Sequence, residues 1–406
     1  MAISLAKNTS QRLRIIVLGY VIRGPLGGMV WSNLHFLTGL ARLGHDVYFM
    51  EDSDDYPSCY NPLKGYTDAD PSYGLQFAAR VFGGIGFSER WAYHDAHRSR
   101  WHGPLANRTM AVCHEADLVL NLCGVNPLRP WLLEVPHRAY VDEDPAFTQI
   151  RNLKEPQRRE FTAQHTAFFT FGANFHSGRS HIPDDGFPWQ PARQPVVLDI
   201  LRPTPANPNG KFTSVMQWES YPGIDYNNRH YGMKSESFQD YLDLPAAAGL
   251  IFQLAVGGEK ASTILSAKGW SVLNPLEITR DPDTYENFLR ESKAEFGIAK
   301  HGYVVSRSGW FSERSAAYLA SGRPVTVQET GFSDWLAVGD GVLSFRSREE
   351  ALTAIDKINS HYRRHCEAAR EIAEEFFDAR KLLPPLLEKA LHPAVKQTPT
   401  RAIANR

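Results

Sequence analysis

The chain has 406 residues and a net charge of −1, because 44 lysines and arginines nearly balance 45 aspartates and glutamates. This length suffices for two medium-sized domains with separate hydrophobic cores. A balanced charge without basic blocks argues against a nucleic-acid partner, and no apolar run reaches the roughly 20 residues that a transmembrane helix needs.

The first 200 residues alternate apolar runs with helical patterns. Residues 14–20 and 46–50 are apolar runs, and the residues between them, 29–43, carry apolar side chains at helical spacing. This order predicts a βαβ unit, whose parallel strands are joined by a right-handed crossover. Further strands are predicted at 118–122, 138–141 and 167–171, and further helices at 74–81 and 155–164.

A proline-rich segment and a second alternation follow. Seven prolines within residues 176–210 predict an irregular connector with one short strand at 196–198. Beyond it, strands are predicted at 212–218, 251–256, 270–273, 295–300 and 324–327, and helices at 235–241, 260–267 and 281–291. Residues 349–391 have helical spacing, which Pro384-Pro385 should break or kink. Two such α/β units predict a ligand site in the cleft between them, at the carboxyl ends of the strands.

The cysteines and the two ends of the chain complete this outline. The four cysteines lack the spacing of a metal site, which favours a reducing, cytoplasmic setting. Cys113 and Cys123 flank an apolar run and are expected to be buried thiols. The first 12 residues are too short and polar for a signal peptide, and residues 396–406 are expected to form a frayed tail.

One segment, residues 302–325 (GYVVSRSGWFSERSAAYLASGRPV), carries most of the chemical information. It predicts an apolar run, a Ser/Arg/Gly loop, a helix and a new strand. The N-terminus of that helix offers free backbone N–H groups to an anion. Arg307 can pair with phosphate, and Glu313 can accept from ribose hydroxyls. The plain alternative is an ordinary strand–loop–helix–strand unit with Ser312 as its N-cap.

The same segment resembles the nucleotide-sugar motif of GT-B glycosyltransferases. Gly309-Trp310-Phe311-Ser312 is similar to the family's Gly-Trp-Asn-Ser loop. Residues 317–325 are similar to the Glu-Ala-Met-Ala-x-Gly-x-Pro-Val helix of its retaining members. The resemblance implies two facing Rossmann-like α/β domains, with acceptor bound by residues 1–200 and donor by residues 201–375. It also implies a C-terminal helix, within residues 376–406, that crosses back to the first domain.

The motif departs from the family at its key acid. Ala317, or Ser315 in the other alignment register, stands where the family has its ribose-binding glutamate. Glu313 lies one helical turn before Ala317 and is expected to take that role. The first glutamate of the retaining Glu-x7-Glu pattern corresponds to Gly309. Because that pattern is missing, we favour an inverting transfer.

A donor site is expected at the motif and at the neighbouring strand ends. Its predicted residues are Trp218, Gly257, Gly258, Lys300, Arg307, Ser308, Gly309, Trp310, Phe311, Ser312, Glu313, Gln328 and Glu329. Lys300 would neutralise the departing diphosphate, or merely extend from a strand end into solvent. Gly257-Gly258 would let phosphate approach, or form only a turn. By the resemblance, Gln328 and Glu329 would meet the sugar hydroxyls.

The acceptor side and the catalytic base are assigned to the first domain. Gly27 and Gly28 follow its first strand and would shape the acceptor side. Arg23, in the same loop, would contact either substrate, or it is simply a solvated surface charge. Asp142 or Asp144, at another strand end, would act as general base for the acceptor hydroxyl, with His165 as a second candidate. The alternatives are an Asp-rich turn that caps a helix and a packed histidine.

These observations predict a glycosyltransferase that moves a sugar from a nucleotide diphosphate sugar to a small-molecule or glycan hydroxyl. No metal-ligand cluster is visible, so we expect the transfer to need no metal or other cofactor. Three alternatives stay open: a GT-B-type nucleotide-sugar epimerase, a non-catalytic carbohydrate- or nucleotide-binding protein, and a nicotinamide-dependent oxidoreductase. The oxidoreductase is disfavoured because the first loop lacks Gly-x-Gly-x-x-Gly spacing and only Glu51 and Asp52 end the second strand.

Overall fold

The computed structural model describes residues 12–393. The predicted polar N-terminal segment (residues 1–12) falls almost wholly, and the predicted frayed tail entirely, outside the described residues. We call residues 12–200 the N-terminal half and residues 201–375 the C-terminal half.

Strands alternate with helices throughout both halves. The N-terminal half contains the strands β1 (Arg14–Leu18), β2 (Asp46–Asp52), β3 (Cys59–Asn61), β4 (Tyr66–Asp68), β5 (Trp91–Asp95), β6 (Arg100–His102), β7 (Leu118–Leu122), β8 (His137–Asp142), β9 (Ala167–Thr170) and β10 (Gln190–Pro191). The C-terminal half contains β11 (Phe212–Gln217), β12 (Ile224–Tyr226), β13 (Arg229–Tyr231), β14 (Phe252–Gly257), β15 (Ser271–Leu273), β16 (Ala294–Gly297), β17 (Val325–Gln328) and β18 (Val342–Phe345).

The helices follow the same division. Those of the N-terminal half are α1 (Gly27–Arg42), α2 (Ser72–Gly84), α3 (Thr109–His114), α4 (Pro130–Leu133), α5 (Phe147–Lys154) and α6 (Pro156–Ala163). Those that follow are α7 (Lys234–Ser237), α8 (Leu244–Ala248), α9 (Glu259–Ala267), α10 (Pro275–Ile278), α11 (Pro282–Glu291), α12 (His301–Val305), α13 (Glu313–Ala320), α14 (Arg348–Ser360), α15 (Tyr362–Phe376) and α16 (Ala379–Leu391). Single 3₁₀ turns lie at Ala106–Arg108, Gln239–Tyr241 and Phe332–Asp334.

Each half is built on one twisted sheet. The first sheet has the order β10-β9-β8-β7-β1-β2-β5-β6 and the second has the order β15-β14-β11-β16-β17-β18. All neighbours are parallel except β6, which runs antiparallel to β5. In each sheet the strand order reverses beside the first strand, β1 or β11, and ligands bind at such switch points in open α/β sheets. The predicted α/β class is therefore confirmed.

The two halves approach each other closely at the start of α1. A Cβ on Gly27 would lie 2.2 Å from the carbonyl oxygen of Asp281, just before α11, and a Cβ on Gly28 would lie 3.0 Å from the ring of Tyr285. The indole N–H of Trp31 donates to the carbonyl of Pro282 at 3.1 Å. Only glycine leaves room for this contact, so Gly27 and Gly28 join the halves as well as facing the cleft.

The chain passes between the halves twice, and the two passages are hydrogen-bonded to each other. The N–H of Val196 donates to the carbonyl of Phe377 at 2.7 Å, and the N–H of Ala379 donates to the carbonyl of Val196 at 2.9 Å. After the second passage α16 packs on α1, β8 and β9. The strand predicted at 196–198 is thus only an isolated bridge, between Val196 and Asp378.

Several predicted elements differ from the structure. The apolar run that begins at Gly302 belongs to the short helix α12. The sequence did not identify this helix, because a run of four or five apolar residues has no period that distinguishes a helix from a strand. Lys300 does not end a strand; β16 stops at Gly297, and Lys300 precedes α12. Pro384 and Pro385 lie inside α16 without ending it. The helical region is divided elsewhere, at His361 and between α15 and α16.

Candidate active site between the two halves

The N-terminus of α13 faces the N-terminal half across a narrow cleft. Ser312 caps this helix, with its hydroxyl accepting from the N–H of Arg314 at 3.2 Å. Glu313 and Arg314 line one small cavity together with Gly28 and Ser32 of α1. The cavity holds about 10 Å³, which is room for a single water molecule. The halves are therefore closed on each other, and a larger ligand requires them to separate.

Cationic side chains gather beside α13. The Arg314 guanidinium donates to Glu295 at 2.7 Å and to the carbonyl of Val215 at 2.9 Å. Burial, and then the positive charges of Arg314 and Lys300, lower the pKa of Lys234 to about 7. Arg314 and Lys300 are each paired with a carboxylate, Glu295 and Asp144, and an anion placed beside Lys234 would favour its charged form.

Lys300 connects the halves directly. Its ammonium donates to Asp144 at 2.8 Å and to the hydroxyl of Tyr221 at 2.7 Å. The hydroxyl of Tyr303 donates to the same Asp144 oxygen at 2.6 Å. Burial alone would raise the pKa of Asp144, but the charge of Lys300 and the hydrogen bonds hold it below its usual value. Lys300, which was predicted to neutralise the diphosphate, is thus paired with Asp144, which was predicted as a base.

Glu143, between the two predicted bases, reaches the cleft. Its Oε1 is buried without a hydrogen-bond partner in the described chain. Burial and the negative charge of Glu313 raise the pKa of Glu143 to about 8. Cys123 lies beside it with a positive φ of 57°, and Cys123 is exposed rather than buried as predicted. The strand before Cys123 is buried, but the turn that follows brings the thiol into the cleft.

Asp142 and His165 are occupied elsewhere. Asp142 accepts from the hydroxyls of Thr148 and Thr170 at 2.6 and 2.7 Å and from the N–H of Asp144 at 2.9 Å. This carboxylate therefore organises the loop after β8, but it does not cap α5, whose N-cap is Ala146. His165 is buried, its Nδ1 lies 3.2 Å from the carbonyl of Thr162, and burial lowers its pKa to about 4. It lies between α6 and β9, where its Nε2 is 3.1 Å from the side-chain amide of Asn121, as the packed-histidine alternative would have it.

Part of the predicted donor set lies together beside α13. Trp310, Phe311, Ser312 and Gln328 line a second small cavity, on the other side of Arg314. Gln328 accepts from the N–H of Ala299 at 3.2 Å. Glu329, which follows it, is turned away: it accepts from the N–H of Gly331 at 2.6 Å and so stabilises a tight turn.

The rest of the motif loop supports the backbone. Arg307 has a φ of 47°, and its guanidinium lies 3.3 Å from Asp334 instead of facing the cavities. Ser308 is fully buried. A Cβ on Gly309 would lie 2.7 Å from Asn174, so this glycine allows the loop to pack on the N-terminal half.

Three further donor candidates are not brought to α13. Trp218 is buried in the core of the C-terminal half, with its ring 5.3 Å from that of Phe238. Gly257 ends β14 beside Gln217. Gly258 precedes α9 with a φ of 109° and is exposed.

Arg23 is neither a solvated charge nor a cleft residue. Its guanidinium lies 3.2 Å from Glu51 and is fully buried. Glu51 also accepts from the backbone N–H groups of Val21, Ile22 and Arg23, each at 2.7 Å. Because Glu51 is used in this way, it is not free to bind a ribose as an oxidoreductase would require.

The site residues predicted from the sequence did not include Lys234, Arg314, Glu143 and Tyr221. Arg314 had a visible signal, because it follows Glu313 in the motif helix. Lys234 begins α7, just before the helix predicted at 235–241, and Tyr221 lies in the loop between β11 and β12. Glu143 was passed over in favour of the aspartates on each side, since side-chain direction after a strand end depends on the turn.

No protein-family model and no curated protein sequence matches the chain. None of the helices within residues 12–393 is both long and apolar enough to cross a bilayer.

Solved structures do resemble it. A DNA-bound alpha-glucosyltransferase in complex with UDP superposes with a TM-score of 0.58 at 10% identity, over 93% of this chain and 98% of that one. Sucrose-phosphate synthase from Thermosynechococcus elongatus gives 0.53 at 10% identity, over 95% and 100%. HepE from Anabaena, in complex with UDP and glucose, gives 0.52 at 10% identity, over 93% and 99%. The chain therefore has the GT-B fold found in glycosyltransferases.

Proposed function

We propose that the protein is a glycosyltransferase that moves a sugar from a nucleotide diphosphate sugar to the hydroxyl of a small molecule or glycan. The observation that carries this proposal is the cluster of Lys234, Lys300 and Arg314 at the N-terminus of α13, in the cleft between two sheets. Cations and helix N-termini are the groups that stabilise a departing diphosphate.

The donor would span the N-terminus of α13. Lys234, Lys300 and Arg314 would surround the diphosphate, and Glu313 would accept from the ribose hydroxyls. This arrangement supplies the neutralising charge from side chains, which supports a transfer that uses no metal or other cofactor. UDP is the first nucleotide to test, because structures of the same fold contain it.

The acceptor would approach from the N-terminal half. We favour a non-nucleic-acid acceptor, given the balanced charge of the chain. We also favour inversion at the anomeric carbon, because the Glu-x7-Glu pattern is absent. A cytoplasmic location fits the four free thiols of the described chain.

Thermal unfolding with nucleotide diphosphates tests the donor site. A nucleotide at 100 times its Kd stabilises the protein by about 2.7 kcal/mol, so UDP should raise the Tm clearly in wild type and much less in Glu313→Ala. Glu349→Ala, which alters an exposed glutamate of α14, is the matched control. If no nucleoside diphosphate raises the Tm, the proposal is wrong.

The reaction itself separates the alternatives. The UDP-sugar that stabilises best is incubated with a panel of glycan and small-molecule acceptors, and the products are followed by NMR. A new glycosidic product supports transfer. An isomerised donor without any acceptor would indicate an epimerase, and an unchanged donor a binding protein.

A further inference from the structure

Glu143 is an acid at the strand ends of the first sheet that keeps one buried carboxyl oxygen without a hydrogen-bond partner among the described residues. It follows β8 at the carboxyl edge of the first sheet, and its Oε1 has no partner among residues 12–393. Asp142 on one side is saturated by hydroxyl and N–H donors, and Asp144 on the other is paired with Lys300. The two neighbours that the sequence favoured therefore hold the loop and leave Glu143 free.

The surroundings of Glu143 place it opposite the donor side. The negative charge of Glu313, from α13, acts on it across the cleft, and Ser32 of α1 and Cys123 after β7 lie beside it. Glu313 and Ser32 both line the cavity between the halves. Under the proposed function, a sugar bound with its nucleotide on α13 would lie between Glu313 and Ser32, the cavity residue that is hydrogen-bonded to Glu143.

We propose that Glu143 is the general base that takes the proton of the acceptor hydroxyl during an inverting transfer. This inference rests on the proposed glycosyl transfer. The acceptor oxygen forms a bond to the anomeric carbon while the bond from that carbon to the diphosphate oxygen breaks. The bonding electron pair leaves with the diphosphate beside the cations, and the acceptor proton passes to the Glu143 carboxylate.

The charges around Glu143 determine its pH response. Burial, Glu313 from α13 and Asp142 from β8 raise its pKa, whereas Cys123 and Ser32 lower it, and the result is about 8. A base acts only when unprotonated. At saturating donor, where the titration of Lys234 no longer limits binding, kcat should rise with pH as Glu143 loses its proton and should level off above the pKa of Glu143.

The test compares Glu143→Gln with wild type, using UDP for binding and the donor and acceptor found above for transfer. Removing a general base typically lowers kcat by about 10²–10⁴-fold. Glu143→Gln should show that loss while keeping the wild-type affinity for UDP, and Glu143→Asp should recover part of the rate. Glu160→Gln, at an exposed position of α6, is the control and should match wild type.

Three results would overturn the assignment. A Glu143→Gln protein with undiminished kcat excludes a catalytic proton transfer there. Loss of UDP affinity equal to the loss of rate would assign Glu143 to donor binding. A product with retained anomeric configuration, seen in the NMR coupling constant, would exclude this base mechanism and leave glycosyl transfer standing. Failure of wild type to bind any nucleoside diphosphate would contradict the proposed function instead.

Discussion

The carboxylates at the strand ends of the first sheet differ from one another in role. Glu51 and Asp142 accept backbone and hydroxyl donors and so shape the loops after β2 and β8. Glu143 keeps an oxygen free. Acidic residues at equivalent strand ends therefore differ in role, because the loops donate hydrogen bonds to some of these carboxylates and not to others.

Glu51→Gln should destabilise the N-terminal half by about 3–5 kcal/mol, because it leaves the buried Arg23 guanidinium without its charge partner. A glutamine also places an N–H group against the N–H groups of the preceding loop. Urea unfolding followed by near-UV circular dichroism measures the change. Arg363→Gln breaks an exposed pair with Glu367 and should leave the midpoint unchanged; an equal loss in both variants would contradict this prediction.

Lys234→Met should weaken UDP binding by about 10- to 100-fold, because a hydrogen bond to a charged group contributes about 1.5–3 kcal/mol. The pKa of Lys234 is about 7 in the empty protein, so the ammonium is lost as the pH rises above 7. Wild-type affinity should therefore fall between pH 7 and 8.5.

Isothermal titration over that pH range measures the affinity, and proton uptake on binding appears as a dependence on buffer ionisation enthalpy. The pH slope should be smaller in Lys234→Met. Lys357→Met, an exposed lysine of α14, should behave as wild type. A pH slope that persists in Lys234→Met would assign the titration to another group.

The sequence predicted the acid-rich strand end and the motif helix but not their side-chain contacts. Ser312 as N-cap and Glu313 in the cleft follow from local patterns, which a sequence shows. The turn of Arg307 towards Asp334 follows from the backbone conformation of Arg307, which a sequence does not show. Lys234 reaches the site from α7, which is distant from the motif in the sequence, so only the tertiary fold reveals it.

At the level of elements, α1 and α11 form the contact that closes the cleft. Their approach depends on Gly27 and Gly28, where any larger residue meets the backbone of Asp281 or the ring of Tyr285. From the sequence, these glycines were predicted to lie in a loop that shapes the acceptor side. Their packing role was hidden because the contact joins residues about 250 positions apart.

Gly27→Ala should hold the halves apart, since its Cβ would lie 2.2 Å from a carbonyl oxygen that no side-chain movement can displace. We expect a larger radius of gyration by small-angle scattering and at least a tenfold loss of kcat, because misplaced reacting groups cost catalysis steeply. UDP affinity should change less.

Gly84→Ala is the control, because a Cβ there meets nothing within 4 Å. Replacing an unstrained glycine of this kind usually stabilises by about 0.4–1 kcal/mol. Equal radii of gyration for Gly27→Ala and wild type would show that the contact does not control closure.

For the molecule as a whole, the ion pair of Asp144 with Lys300 joins the two halves, and under the proposed function it would compete with the donor for the same lysine. Asp144→Asn should release Lys300 and tighten UDP binding, by about tenfold if the pair is worth about 1.4 kcal/mol. Lys300→Met breaks the same contact and should weaken UDP binding. Calorimetry on the two variants gives the sign of each change, and changes in the same direction would contradict the competition.

The architecture was the most predictable level. Repeated strand–helix alternation and the motif helix indicated two parallel sheets, and the structure confirms the fold. The boundaries at residues 200 and 375 stay a prediction. The predictions missed the short strands β3, β4, β5, β6, β10, β12, β13 and β18, since runs of two to five residues carry too little periodicity.

The paired passages of the chain have a consequence for protein engineering. Because Val196 is hydrogen-bonded to Phe377 and Ala379, the C-terminal half leaves and re-enters the N-terminal half at one place. It is therefore an insertion with adjacent ends, which another nucleotide-binding half could replace through two neighbouring junctions. Under the proposed function, a chimera joined near residues 200 and 376 is expected to exchange donor preference and to leave the N-terminal half, with Glu143, intact.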